Sequence, residues 1–67
     1  MCDDCKRMKG HGVEPHANLV AKDFRKFRSP MGAADEQYYV CRICDTEIMY
    51  ESGSAGYGWV LIEEGPR

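Results

Sequence analysis

Four cysteines carry the chemistry of this chain. They fall in two pairs, Cys2 and Cys5 in "MCDDCK" and Cys41 and Cys44 in "YYVCRICDTE", which gives C-x2-C, 35 intervening residues and C-x2-C. A C-x2-C spacing places two thiolates on one side of a tight bend. Two such bends set face to face offer four sulfurs at the corners of a tetrahedron, about 2.3 Å from a metal. Every cysteine of the chain belongs to one of these pairs. The gap is longer than the roughly 15–20 residues of the usual pattern, but each doubling of a loop adds only about 0.6 kcal/mol of closure entropy. The expected site is a four-cysteine centre of Cys2, Cys5, Cys41 and Cys44 that holds one structural Zn²⁺, with Fe as the alternative, since tetrahedral four-sulfur shells suit both metals. Four thiolates leave no position open for a water. No Ser/His/Asp set, paired catalytic carboxylates or phosphate-cradling glycine loop accompanies them. Neither an enzyme nor a small-molecule site is expected. His11 and His16, in a Gly/Pro-rich stretch, read as loop residues rather than ligands.

The elements that must position these sulfurs are short. The whole chain of 67 residues reads as one domain. A domain of this size buries too little surface to be secure without a staple such as a metal. Residues 1–12 form the first metal turn, 13–36 a long insertion or loop, 37–62 a strand, the second metal turn and a hairpin, and 63–67 a tail. In 13–28, Val13, Ala17, Val20, Phe24 and Phe27 recur at four-three spacing, which predicts a short helix or turn leading into an extended segment from about Phe24. "SPMGAADE" reads as a loop. Residues 37–41 form a strand with Tyr38 and Val40 on one face and Tyr39 on the other. Thr46, Ile48 and Tyr50 then alternate with Glu47, Met49 and Glu51. Tyr57, Trp59 and Leu61 alternate with Val60 and Ile62 in a third strand, read as buried on both sides. The fold class is a small, metal-bound, mostly-β domain with a three-stranded antiparallel sheet and two C-x2-C metal turns. Asp45, directly after the second pair, suits a backbone position with φ > 0 better than most residues other than glycine.

Net charge is only −2, so an indiscriminate polyanion binder is not indicated. The distribution is uneven: residues 1–28 hold seven Lys/Arg against four Asp/Glu, and residues 29–67 hold two against seven. The candidate partner-binding residues are Lys22, Arg25, Lys26, Arg28 and Tyr39. The partner is expected to be another protein, with nucleic acid second because the acidic half repels phosphate. No apolar run is long enough to span a bilayer and none reads as a secretory leader, so the expected location is cytoplasmic. In such a compartment paired cysteines bind metal more often than they oxidise.

Two C-x2-C pairs, the second set between strands and followed by a hairpin, resemble the zinc-ribbon and rubredoxin-like superfamily of small metal-binding domains with four cysteine ligands. The resemblance covers the metal turns and residues 37–62, and it implies a structural metal in a module that contacts another macromolecule. "YYVCRICDTE" is also similar to the aromatic-led turn of rubredoxins, which hold iron for electron transfer. Rubredoxins, however, have glycine after each pair, where this chain has Lys6 and Asp45. They also have proline within the second pair, where Arg42 stands. A zinc–thiolate redox or metal sensor is a further alternative.

Overall fold

The strand expected at 37–41 begins five residues earlier and recruits a partner on its N-terminal side. A computed structural model describes residues 1–66, which form one helical turn, α1 (Asp3–Lys6), and four strands, β1 (Leu19–Ser29), β2 (Gly32–Cys41), β3 (Glu47–Ser52) and β4 (Gly58–Glu63). The strands form an antiparallel meander in the order β1-β2-β3-β4. The sheet therefore has four strands, not three, and the additional one comes from the segment expected to be helix and insertion. The loop expected at 29–36 contracts to a two-residue turn, Pro30–Met31, between Ser29 and its partner Gly32. Ser29 holds this turn: its hydroxyl accepts the Met31 N–H at 3.2 Å and donates to the Gly32 carbonyl at 3.0 Å.

Helical spacing in 13–28 misleads because no surface exists for the stripe to pack on. The backbone of 19–29 instead pairs with β2, and Phe24 and Phe27, opposite Gln37 and Ala34, fall on different faces and stay 52% exposed. A bulge between Ala21 and Phe24 shifts the register and absorbs Lys22 and Asp23.

The expected alternation of β2 and β3 holds. Tyr39 faces Ile48, and Tyr50 faces Trp59, on one side of the sheet. On that side Met8, Ile48 and Trp59 form a buried cluster, with Leu19, Tyr39 and Tyr50 packed around it. Trp59 makes an edge-on contact with Tyr50, centroids 5.0 Å apart, and a tilted one with Tyr39 at 5.4 Å. It also fastens the N-terminal arm: its backbone N–H donates to the Gly10 carbonyl at 3.0 Å and its indole Nε1–H to the Val13 carbonyl at 2.8 Å. Gly58 permits this approach, since at φ +80° a side chain is strained and a Cβ would collide with the Gly10 carbonyl. β4 is not buried on both sides: Leu61 and Ile62 are 48% and 44% exposed, because β4 is an edge strand. No helix among the described residues is long and apolar enough to cross a membrane.

Candidate metal centre

The two cysteine pairs reach the same point by different local routes. Cys2 and Cys5 lie on a turn of helix rather than on a tight bend: Cys2 is the N-cap of α1 and its carbonyl accepts the Lys6 N–H at 3.1 Å. Residues three apart on a helix share a face, which aligns the two sulfurs. Asp3 and Asp4 in the first turn and Lys6 in the last complement the helix dipole. Lys6 accordingly takes a helical conformation, with none of the left-handed backbone that a bend at this position would require.

The second pair sits where β2 ends. The Cys41 carbonyl accepts the Asp45 N–H at 2.8 Å, and the Cys41 N–H donates to the Thr46 carbonyl at 2.9 Å. Asp45 closes this turn at φ 61°, alone among the described non-glycine residues in having positive φ. Behind the turn Gly65 donates its N–H to Thr46 Oγ1 at 3.1 Å. A Cβ at Gly65 would run into the Cys44 carbonyl, so the chain passes there only without a side chain.

The four sulfurs converge, with all ligand atoms of Cys2, Cys5, Cys41 and Cys44 within 4.8 Å of one another. Cys2 Sγ lies 3.8 Å from Cys41 Sγ, and Cys5 Sγ 3.7 Å from Cys44 Sγ. A tetrahedron with metal–sulfur bonds of about 2.3 Å has edges of about 3.8 Å, so both distances fit that shell. They are far too long for covalent S–S bonds of about 2.05 Å, and all four cysteines are free. Cys5, Cys41 and Cys44 are buried and Cys2 is partly exposed, with Met1 and Leu19 packed against the group.

Two neighbours hydrogen-bond to the sulfurs. His16 Nδ1 accepts the Asn18 N–H at 3.2 Å, so the neutral ring carries its proton on Nε2, which lies 3.3 Å from Cys5 Sγ and donates to it. Thr46, fully buried, accepts the Gly65 N–H, and its Oγ1 lies 3.1 Å from Cys44 Sγ, accepting from the thiol and donating to the thiolate. Burial pushes the Cys5 thiol well up, and the other three sulfurs beside it add to the effect. Burial also acts upward on Cys44, but hydrogen bonds from the Thr46 hydroxyl and from backbone groups of Cys2 and Thr46 overrule it and pull that thiol down to about 5. Cys44 is thus the sulfur most inclined to the thiolate and Cys5 the one whose proton a metal ion must displace.

The residues expected to meet a partner are placed elsewhere. Lys22, Arg25, Lys26 and Arg28 lie along β1. Lys22 pairs with Glu47 at 3.1 Å and Arg28 with Asp35 at 2.9 Å, while Arg25 sits over the Tyr38 ring and Lys26 over that of Phe24. Tyr39 is separate from them, with its ring packed against Trp59 in the core. Of the cations near the cysteines, Arg7 pairs with Asp4 at 2.7 Å and Arg42 donates to Asn18 Oδ1 at 3.0 Å. His16 and Thr46 are the functional neighbours that the sequence does not reveal. The only local sign is a hydroxyl residue two places after Cys44.

No protein-family model matches the chain, and no curated protein or solved structure matches it at a significant level. The class is therefore defined by fold and geometry: a small, mostly-β antiparallel domain with a four-cysteine cluster able to hold a metal ion.

Proposed function

We propose that the chain is a structural zinc module of zinc-ribbon type, with Cys2, Cys5, Cys41 and Cys44 as the ligands, and that it serves to bind another protein. The observation that carries this reading is the convergence of four sulfurs within 4.8 Å, three of them buried. Four ligands complete a tetrahedral shell, which suits a structural rather than a catalytic ion. Zinc is favoured over iron by the absence of the rubredoxin glycines, Lys6 and Asp45 standing in their places. Free thiols belong in a reducing compartment, and the cytoplasm is the simplest one. A protein partner is favoured over nucleic acid because two of the four β1 cations are paired with carboxylates of the sheet.

Elemental analysis of the purified protein tests the metal. The expected result is one zinc per chain and a colourless solution. A red protein with visible absorption that bleaches on reduction would replace this reading with iron electron transfer. Protein that takes up no metal would remove both.

A further inference from the structure

The two edges of the sheet are not equivalent. At the β4 edge the outward N–H of Trp59 is already taken by the Gly10 carbonyl, and the arm lies across Gly58 and Trp59. Among the described residues nothing covers the β1 edge in this way, and Val20–Arg28 are nine consecutive exposed residues. Its hydrogen-bonding phase can be read from β2. Ala33 gives its N–H to Ser54 Oγ and its carbonyl to the Ala55 N–H, and Cys41 likewise bonds toward the β3 side. Odd-numbered residues of β2 therefore turn their backbone groups to β3, and the β1 residues opposite them turn theirs outward. Those residues are Arg28, Lys26 and Phe24, facing Ala33, Asp35 and Gln37. Three alternate residues along one edge thus present N–H and C=O pairs to solvent. They are flanked by the cations Arg25 and Lys26, whose charges no carboxylate of the described residues pairs, and by Arg28, which shares its charge with Asp35.

We propose that β1 is a docking edge for an extended acidic segment of a partner protein, which adds as a fifth strand along Phe24–Arg28. This rests on the reading of the chain as a protein-binding module. Main-chain bonds would supply the attachment and side chains on the two faces the selectivity. Charge chooses the occupant. A second copy joined β1 to β1 would set Arg25, Lys26 and Arg28 against their own kind, which like-charged edges resist. A second copy offering its β4 edge would find the Gly58–Trp59 end occupied by its own arm, which leaves only Leu61–Glu63 for pairing, too short a stretch to match Phe24–Arg28. An acidic strand meets neither obstacle, and it places carboxylates opposite the cations while Phe24 and Phe27 supply apolar contact on opposite faces.

The test uses isotopically labelled, metal-loaded protein whose zinc has been counted, titrated with a capped ten-residue peptide of alternating glutamate and valine. The expected result is amide shifts confined to β1 and slowed exchange of the Phe24, Lys26 and Arg28 N–H groups. A peptide with lysine in place of glutamate should not bind. Lys26→Pro removes an outward N–H and leaves the pairing with β2 intact, since proline is tolerated at a solvent-facing edge position. It should weaken binding by about tenfold or more. Should that variant lose the sheet, Lys26→Glu keeps the backbone donor and reverses the charge, with a similar loss expected. Shifts elsewhere on the sheet, no binding at millimolar peptide, or equal binding by folded variants would overturn the proposal. So would a single-stranded oligonucleotide that takes the same amides with steep salt dependence. Each of these outcomes leaves the zinc count standing, whereas a protein without metal defeats the module reading by itself.

Discussion

Thr46 carries no charge, yet it bears on how firmly a proton competes for one sulfur of the cluster, Cys44. Its hydroxyl helps to hold Cys44 down at about 5. A thiol with a depressed pKa has fewer protons to displace, so the metal persists to lower pH. Thr46→Val keeps the shape and removes the hydroxyl, which should raise the Cys44 pKa and move half-release of the metal to higher pH. A hydrogen bond to a charged sulfur is worth about 1.5–3 kcal/mol, roughly one pKa unit or more for that thiol. Spread over a four-sulfur site, the expected shift is about half a unit upward, read as zinc release to a dye against pH. An unchanged or lower midpoint would disprove this role. The cysteines themselves are legible in the sequence because their pairing exhausts the set. Asp45 is legible too, since it is among the few residue types that tolerate the φ of 61° it adopts. His16 and Thr46 are not, because a hydrogen bond to sulfur depends on where the fold brings a ring or a hydroxyl. The neutral His16 ring is fixed by the Asn18 backbone, which no spacing rule records.

At the scale of elements, β2 and β3 can be read directly from the period-two alternation of Tyr38–Val40 and Thr46–Glu51. β1 cannot, because Val20, Phe24 and Phe27 keep helical spacing through a bulge, and the strand's apolar residues are exposed whichever way it is read. Its state is settled by backbone pairing with β2, a long-range term invisible to local pattern. The anchoring of the arm is likewise absent from any local signal, since the Trp59 indole reaches Val13 across 46 residues. That anchor makes a measurable prediction. Trp59→Phe keeps an aromatic ring near Tyr39 and Tyr50 but drops the Nε1–H bond and part of the buried volume. The expected loss is about 1–3 kcal/mol in urea unfolding of the metal-loaded protein. A loss below about 0.5 kcal/mol would mean that the indole bond adds nothing to the backbone bond at Gly10, the packing of Met8 and the cysteine cluster in holding the arm.

Across the whole molecule, 40 × 20 × 17 Å in extent, stability is concentrated in two small clusters, one of cysteines and one around Trp59. Neither is large, and a structural site of this kind contributes about 10–16 kcal/mol in peptides, as much as the entire stability of a small domain. Stripping the metal with a chelator should therefore abolish the near-UV signal of Trp59 and the tyrosines, and restoring zinc should recover it; a retained signal would show that the sheet stands alone. The topology also favours an order of assembly. The three hairpins β1–β2, β2–β3 and β3–β4 join neighbours in sequence, and such contacts close within microseconds. The arm meets its partners only across long separations, 39 residues from Cys2 to Cys41 and from Cys5 to Cys44. Contacts of that range form late. Capture of the N-terminal pair is then the expected last step of folding, and its rate should rise with the free metal ion available. A chain already holding metal at one pair meets a unimolecular search, whereas an empty one must wait for a collision.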